Sequence, residues 1–139
     1  MNRFVLDTSV AAAWYLPERF TSEARSWQTQ LLDRRIELIV PNLHYWEIGN
    51  VLRTYVRRGE ISASLAREIY DLHLEAPLFI QEPDLAVVLA TALEMDATTY
   101  DAVFISLCLA LDVPLVTAER TTTPWVARLG EKVIGVGRS

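Results

Sequence analysis

Cysteine and lysine are nearly missing from this chain of 139 residues, and long apolar runs are missing altogether. A single cysteine, Cys108, excludes an internal disulfide framework and fits a reducing compartment. The longest apolar stretches are Val87 to Ala90 and Val103 to Leu111, the latter broken by Ser106. Neither approaches the roughly 20 residues needed to span a bilayer. The N-terminus passes from Met1-Asn2-Arg3 directly into a strand-like run, without the apolar core and cleavage site of a signal peptide. A cytoplasmic protein with no membrane contact is therefore expected. No pair of cysteines or histidines has zinc-ligand spacing, and there is no internal repeat, low-complexity tract or linker.

An excess of positive charge is also missing. The formal charge is −5, which at first argues against a nucleic-acid partner, since phosphate binding usually depends on clustered lysine and arginine. Four of those negative charges belong to Asp7, Glu47, Asp101 and Glu119, which leaves −1 for the rest of the chain. Divalent cations bound at these acids would reverse the local sign where a phosphate must sit. Lys132 is the one lysine beside twelve arginines, and arginine offers phosphate a planar bidentate contact. That preference can equally reflect base content of the genome.

What is present is ample core. With 51% hydrophobic residues, residues 1–139 suffice for a single domain and leave no room for a second. Periodicity predicts strands at Arg3–Asp7, Glu37–Val40, Leu78–Ile80, Leu115–Thr117 and Lys132–Val136. Helices are predicted at Ser9–Leu16 behind a Thr/Ser cap, Phe20–Arg34, Asn42–Arg58 with Asn42 capping and Gly59 stopping it, and Ser62–Leu74 with Leu65, Ile69 and Leu72 on one face. Further helices are expected over Asp84–Glu94, Thr99–Leu111, which is apolar nearly all round and so central, and Thr123–Leu129. Strands alternating with helices imply an α/β fold of three layers, α/β/α, around a mainly parallel sheet of four to five strands.

The four acids each stand at the edge of an apolar element. Asp7 ends Arg3-Phe4-Val5-Leu6 and precedes Thr8-Ser9, Glu47 lies in the run from Pro41 to Leu52, Asp101 follows Thr99-Tyr100, and Glu119 follows Pro114 to Ala118. In open parallel sheets ligands bind beyond the carboxyl ends of the strands, where strand order reverses, and Asp7 and Glu119 both follow strands. Oxygen donors without paired Cys or His suit a hard cation such as Mg²⁺ or Mn²⁺. Packed carboxylates would raise at least one pKa unless a cation is present. Asn50, three residues beyond Glu47 on the same helix face, is placed to hold a carboxylate or a metal-bound water. Thr8, Ser9 and Thr117 are candidates to orient such a water, although capping or strand roles explain them as well.

The ordered set of Val5-Leu6-Asp7-Thr8-Ser9, Pro41 with Glu47-Ile48-Gly49-Asn50-Val51-Leu52, Thr98-Thr99-Tyr100-Asp101-Ala102 and Pro114-Leu115-Val116-Thr117-Ala118-Glu119 resembles the PIN-domain nucleases over nearly the whole chain. Within that family it most resembles the short VapC-type toxins of toxin-antitoxin pairs. The resemblance implies a PIN-like fold and a metal-dependent endoribonuclease in which Asp7, Glu47, Asp101 and Glu119 hold Mg²⁺ or Mn²⁺. It also implies in-line hydrolysis of RNA by a cation-activated water, leaving a 5′-phosphate and a 3′-hydroxyl, a homodimer, and a VapB-like antitoxin. The antitoxin groove is expected between the helix with Trp14 and the helix with Trp46. The last motif departs from the family, which usually carries Asp where this chain has Glu119.

Bland readings stand beside these. Taken singly, Asp7 reads as a helix cap or strand-end turn residue, Asp101 as a helix-start residue, Glu47 equally as a helical acid near a buried face or an exposed one, and Glu119 as a loop residue. His44 and His73 stand alone in the sequence as surface or packing residues, Cys108 reads as core, and Trp14, Trp27, Trp46 and Trp125 as core or interface. A different class of function is an inert binding module that keeps the fold. A third is phosphoryl transfer through Asp7, disfavoured because no second acid follows two residues on and Lys132 alone is available for a receiver-like role.

Overall fold

In the computed structural model, which describes residues 2–138, five strands form one sheet: β1 (Asn2–Leu6), β2 (Ile36–Val40), β3 (Phe79–Ile80), β4 (Leu115–Thr117) and β5 (Val133–Gly135). Their order is β3-β2-β1-β4-β5 and every pairing is parallel. The helices are α1 (Thr8–Ala12), α2 (Thr21–Leu32), α3 (Leu43–Arg57), α4 (Ala63–Leu74), α5 (Leu85–Met95), α6 (Thr99–Leu111) and α7 (Pro124–Leu129). None is long and apolar enough to cross a membrane.

Alternation along the strands builds the three layers. Leu6, Leu38, Val40 and Val116 face one side, where α1 with the turn that follows it, α2, α3 and α4 pack through Val10, Trp14, Leu31, Ile48 and Ile69. Val5, Ile39, Leu115 and Val133 face the other, covered by Phe104, Leu107, Trp125 and Leu129 of α6 and α7. A strand residue shifted by one would exchange these faces, so the pattern sets the register in which Val5 lies opposite Ile39 and Leu115.

Several expected boundaries move. The first helix is shorter than Ser9–Leu16, with Ala13 to Leu16 in turns, and Asp7 rather than Thr8 or Ser9 stands at its N-cap position. Asn42 occupies the N-cap position of α3 but its side chain makes no capping bond. Gly59 does end that helix, at φ +73°. The face of α4 is also different. Ala66, Ile69, Tyr70 and His73 pack inward, whereas Leu65 and Leu72 are exposed, because Tyr70 donates to the Tyr45 carbonyl (2.9 Å) and orients the helix on α3.

Candidate active site

Strand order reverses at β1, since the chain runs outward to β2 and β3 on one side and to β4 and β5 on the other. The carboxyl ends of β1 and β4 therefore border the crevice where a parallel sheet accepts ligands. Asp7 leaves β1 there, tied to its neighbour strand by its N–H on the Val116 carbonyl (2.9 Å). Its side chain does not cap α1. Instead Oδ2 accepts from Thr117 Oγ1 (2.6 Å) and Ser9 Oγ (3.0 Å). Those hydroxyls are held in turn, Ser9 by the Ala118 N–H (3.1 Å) and Thr117 by the Glu119 N–H (3.0 Å). The expected Thr/Ser capping is thus replaced by a hydroxyl cradle for one carboxylate oxygen.

Glu47 enters from α3 and accepts from Thr8 Oγ1 at 2.8 Å. Asp101 lies in the first turn of α6, behind a cap in which Thr98 Oγ1 accepts the Asp101 N–H (3.0 Å). Asp7 keeps an edge to solvent yet sits deep among protein atoms, and burial pushes its pKa up to about 6. The Thr117 and Ser9 bonds lower it, while the charges of Asp101 and Glu119 raise it further. Glu47 is pushed up to about 7 by burial, lowered by Thr8 and raised by Asp7 and Asp101. Asp101 is raised by burial and lowered by Thr98 and the indole of Trp125. The Trp125 N–H is buried and falls short of hydrogen-bond geometry toward any partner among the described residues. Asp7, Glu47 and Asp101 therefore share one electrostatic environment.

Glu119 belongs to the rim. It is exposed, its charge raises the pKa of Asp7, and its Oε2 accepts from Thr123 Oγ1 at 3.4 Å. Asn50 is exposed on α3, and among the described residues its side chain bonds nothing, only its carbonyl accepting from Thr54. Lys132 pairs with Asp112 (3.1 Å) beside the start of β5, away from the carboxyl edge, which removes the receiver-like role.

Oxygen chemistry fits a divalent cation here. Asp7 Oδ1, Glu47 Oε2 and the Asp101 carboxyl accept no hydrogen bond among the described residues, and none of them is a fully enclosed atom. Each acid thus keeps an oxygen free to ligate. Among the described residues no three acids, histidines or cysteines close on one point at metal-binding distance.

Sequence reasoning missed what lies behind Glu47. His44 and His73 do not stand alone; both are fully buried and their Nε2 atoms meet at 2.7 Å. His44 Nδ1 reaches Thr8 Oγ1 (3.0 Å), and His73 Nδ1 reaches the Tyr15 hydroxyl (2.6 Å). Hydrogen counting orients the chain. Thr8 has one proton and gives it to Glu47, so it accepts from His44 Nδ1–H. His44 Nε2 must then accept from His73 Nε2–H, and His73 Nδ1 from Tyr15. Both rings are neutral: burial and the neighbouring ring lower His44 to about 3, and burial lowers His73 to about 4. Four hydrogen bonds in one direction end on Glu47. The signal was available, because His73 falls on the buried i, i+3, i+4, i+7 stripe with Ala66, Ile69 and Tyr70.

A PIN domain family model matches residues 4–121, and the chain belongs to the PIN domain family. Among characterised relatives it is similar to Ribonuclease VapC3 of Pyrobaculum aerophilum, with 25% identity over 122 residues covering 85% of this chain and 90% of that protein. Among solved structures it is similar to PAE2754 from Pyrobaculum aerophilum, at a TM-score of 0.74 and 22% identity, covering 95% of this chain and 83% of the other. It is also similar to VapBC2 from Rickettsia felis bound to a DNA fragment from their promoter, at a TM-score of 0.65 and 10% identity, covering 96% and 98%. At such identities the solved structures establish the fold.

Proposed function

We propose that this chain is a Mg²⁺- or Mn²⁺-dependent endoribonuclease of the cytoplasm, the toxin of a VapBC-type pair. The observation that carries the reading is the electrostatic coupling of Asp7, Glu47 and Asp101 beside the strand-order switch, each with an unclaimed oxygen and a raised pKa. Family membership and likeness to Ribonuclease VapC3 support it.

Asp7, Glu47 and Asp101 would hold the cation, with Glu119 as an outer ligand. Bound there, a divalent cation lowers the pKa of water and offsets charge at the leaving oxygen. The protein's own contribution is to hold the acids. Thr117 and Ser9 engage one oxygen of Asp7 and leave the other free to ligate, and Thr8 does the same for Glu47. Neutral His44 and His73 hold Thr8 without adding positive charge. No side chain need act as a covalent nucleophile.

Two partner surfaces accompany the reading. Leu85, Leu89 and Leu93 form an exposed row on α5, at 83%, 60% and 76% exposure, and such a row is the face proposed for a homodimer. The antitoxin site is proposed between the first helix and α3, the helix that carries Trp46. Trp14 is 2% exposed and donates to the Ala24 carbonyl (2.8 Å), so it lines no groove. A cleft of about 390 Å³ between α1 and α3, bordered by Ser9, Ala12, Val51, Tyr55 and Glu119, supports this position without Trp14 in its lining. A basic side chain entering there would face the acids.

Purified protein should cleave RNA only with Mg²⁺ or Mn²⁺, leave 5′-phosphate ends, and lose cleavage on Asp7→Asn. Metal-independent cleavage would sink the reading, and RNA binding without cleavage would favour an inert module.

A further inference from the structure

We propose that the pocket walled by Arg19, Arg120 and Arg138 is a phosphate subsite that receives the RNA backbone beside the cleaved bond, an inference that rests on the ribonuclease reading. The pocket has a volume of about 500 Å³ and is completed by Thr121, Thr122 and Gly137. It shares Ala118, Glu119 and Arg120 with the cleft that reaches Ser9, whose hydroxyl bonds Asp7. A strand lying in one therefore continues into the other.

Arg19 and Arg138 are positioned by local contacts, Arg120 stands on an anchored loop, and none of the three is neutralised by an ion pair among the described residues. Arg19 Nη2 donates to the Gly137 carbonyl (2.7 Å), and the Gly137 N–H donates to Glu23 Oε2 (2.8 Å). Gly137 adopts φ +82°, where glycine is favoured. At Gly135 a Cβ would collide with the Arg138 guanidinium, so glycine there lets that group lie against the end of β5. The loop carrying Arg120 is pinned from behind by the Ser9 and Thr117 hydroxyls. The salt bridges among the described residues join Arg3 to Glu37, Arg35 to Asp33 and Lys132 to Asp112; none engages these three arginines.

Charge selects the ligand. On a chain of net charge −5, RNA is repelled except where guanidinium groups gather, and their planar donors with threonine hydroxyls match phosphate oxygens. A polymer is favoured over a free anion because the pocket and the acidic centre are continuous.

The test uses full-length protein carrying Asp7→Asn to prevent cleavage, and a short single-stranded oligoribonucleotide titrated across salt concentrations. Arg120→Gln with Arg138→Gln should reduce the slope of log affinity against log salt by about 1.4, at about 0.7 per lost phosphate contact. Arg53→Gln with Arg67→Gln removes equal charge between α3 and α4 and should leave the slope unchanged. Equal slopes for both pairs would overturn the subsite. So would arginine-dependent capture of a polyglutamate peptide without RNA binding. Cleavage by protein with native Asp7 is read separately: cleavage with equal slopes removes only the subsite, and arginine-dependent binding without cleavage removes only the ribonuclease reading.

Discussion

Thr8→Val is the sharpest perturbation of the relay behind Glu47. Valine matches threonine in shape but cannot accept the His44 Nδ1–H, which has no other partner and no solvent. An orphaned buried donor costs about 1–3 kcal/mol, and Glu47 also loses its hydroxyl donor. His44→Phe alone orphans a different group, the His73 Nε2–H. Combined with His44→Phe, Thr8→Val no longer strands a donor, so the double variant should be more stable than the sum of the singles by roughly 1–2 kcal/mol. Urea unfolding of the four proteins at pH 7.5 measures that difference. Additivity within about 0.5 kcal/mol would refute the directional chain, since uncoupled side chains add.

Titration gives further predictions. Folded His44 and His73 titrate near 3 and 4, below the usual 6.5, so the unfolded chain binds more protons between those values. Their neutrality is free above pH 6.5, and stability falls by about 1.4 kcal/mol per histidine for each pH unit below it, until the folded pKa is reached. Asp7 and Glu47 act in the opposite sense. Their raised values of about 6 and 7 mean the folded acids hold protons more tightly, so without metal they destabilise at high pH and the effect fades as pH falls through those values. Asp7→Asn keeps an oxygen for Thr117 and Ser9 and should stabilise metal-free protein at pH 8 by roughly 1–2 kcal/mol, a gain that shrinks by pH 5; unchanged Tm at both pH values would contradict the burial of that charge. Glu119→Asp should preserve or increase cleavage, and Glu119→Gln should reduce it less than Asp7→Asn does. Equal losses in kcat/KM would make Glu119 a direct ligand.

The layers and the sheet were legible because strand alternation and helix spacing are local, and the carboxyl-edge position of Asp7 followed from Val5 and Leu6 being apolar before it. The role of Asp7 as acceptor rather than cap was not legible, since it depends on Thr117, which is brought alongside by strand pairing. Likewise nothing local joins Tyr15, His44 and His73, and Trp14 and Trp46 look alike in sequence although one is buried and the other 75% exposed. The five strands being wholly parallel, rather than mainly so, emerges only from pairing across the chain.

Mn²⁺ binding to the 139-residue chain, followed by electron paramagnetic resonance at pH 7.5 and pH 5.5, tests the shared cation site. Binding is predicted at the higher pH, weakened at the lower as protons occupy Asp7 and Glu47, and lost at both in Asp101→Asn. Undiminished Mn²⁺ affinity in that variant would contradict a shared cation site.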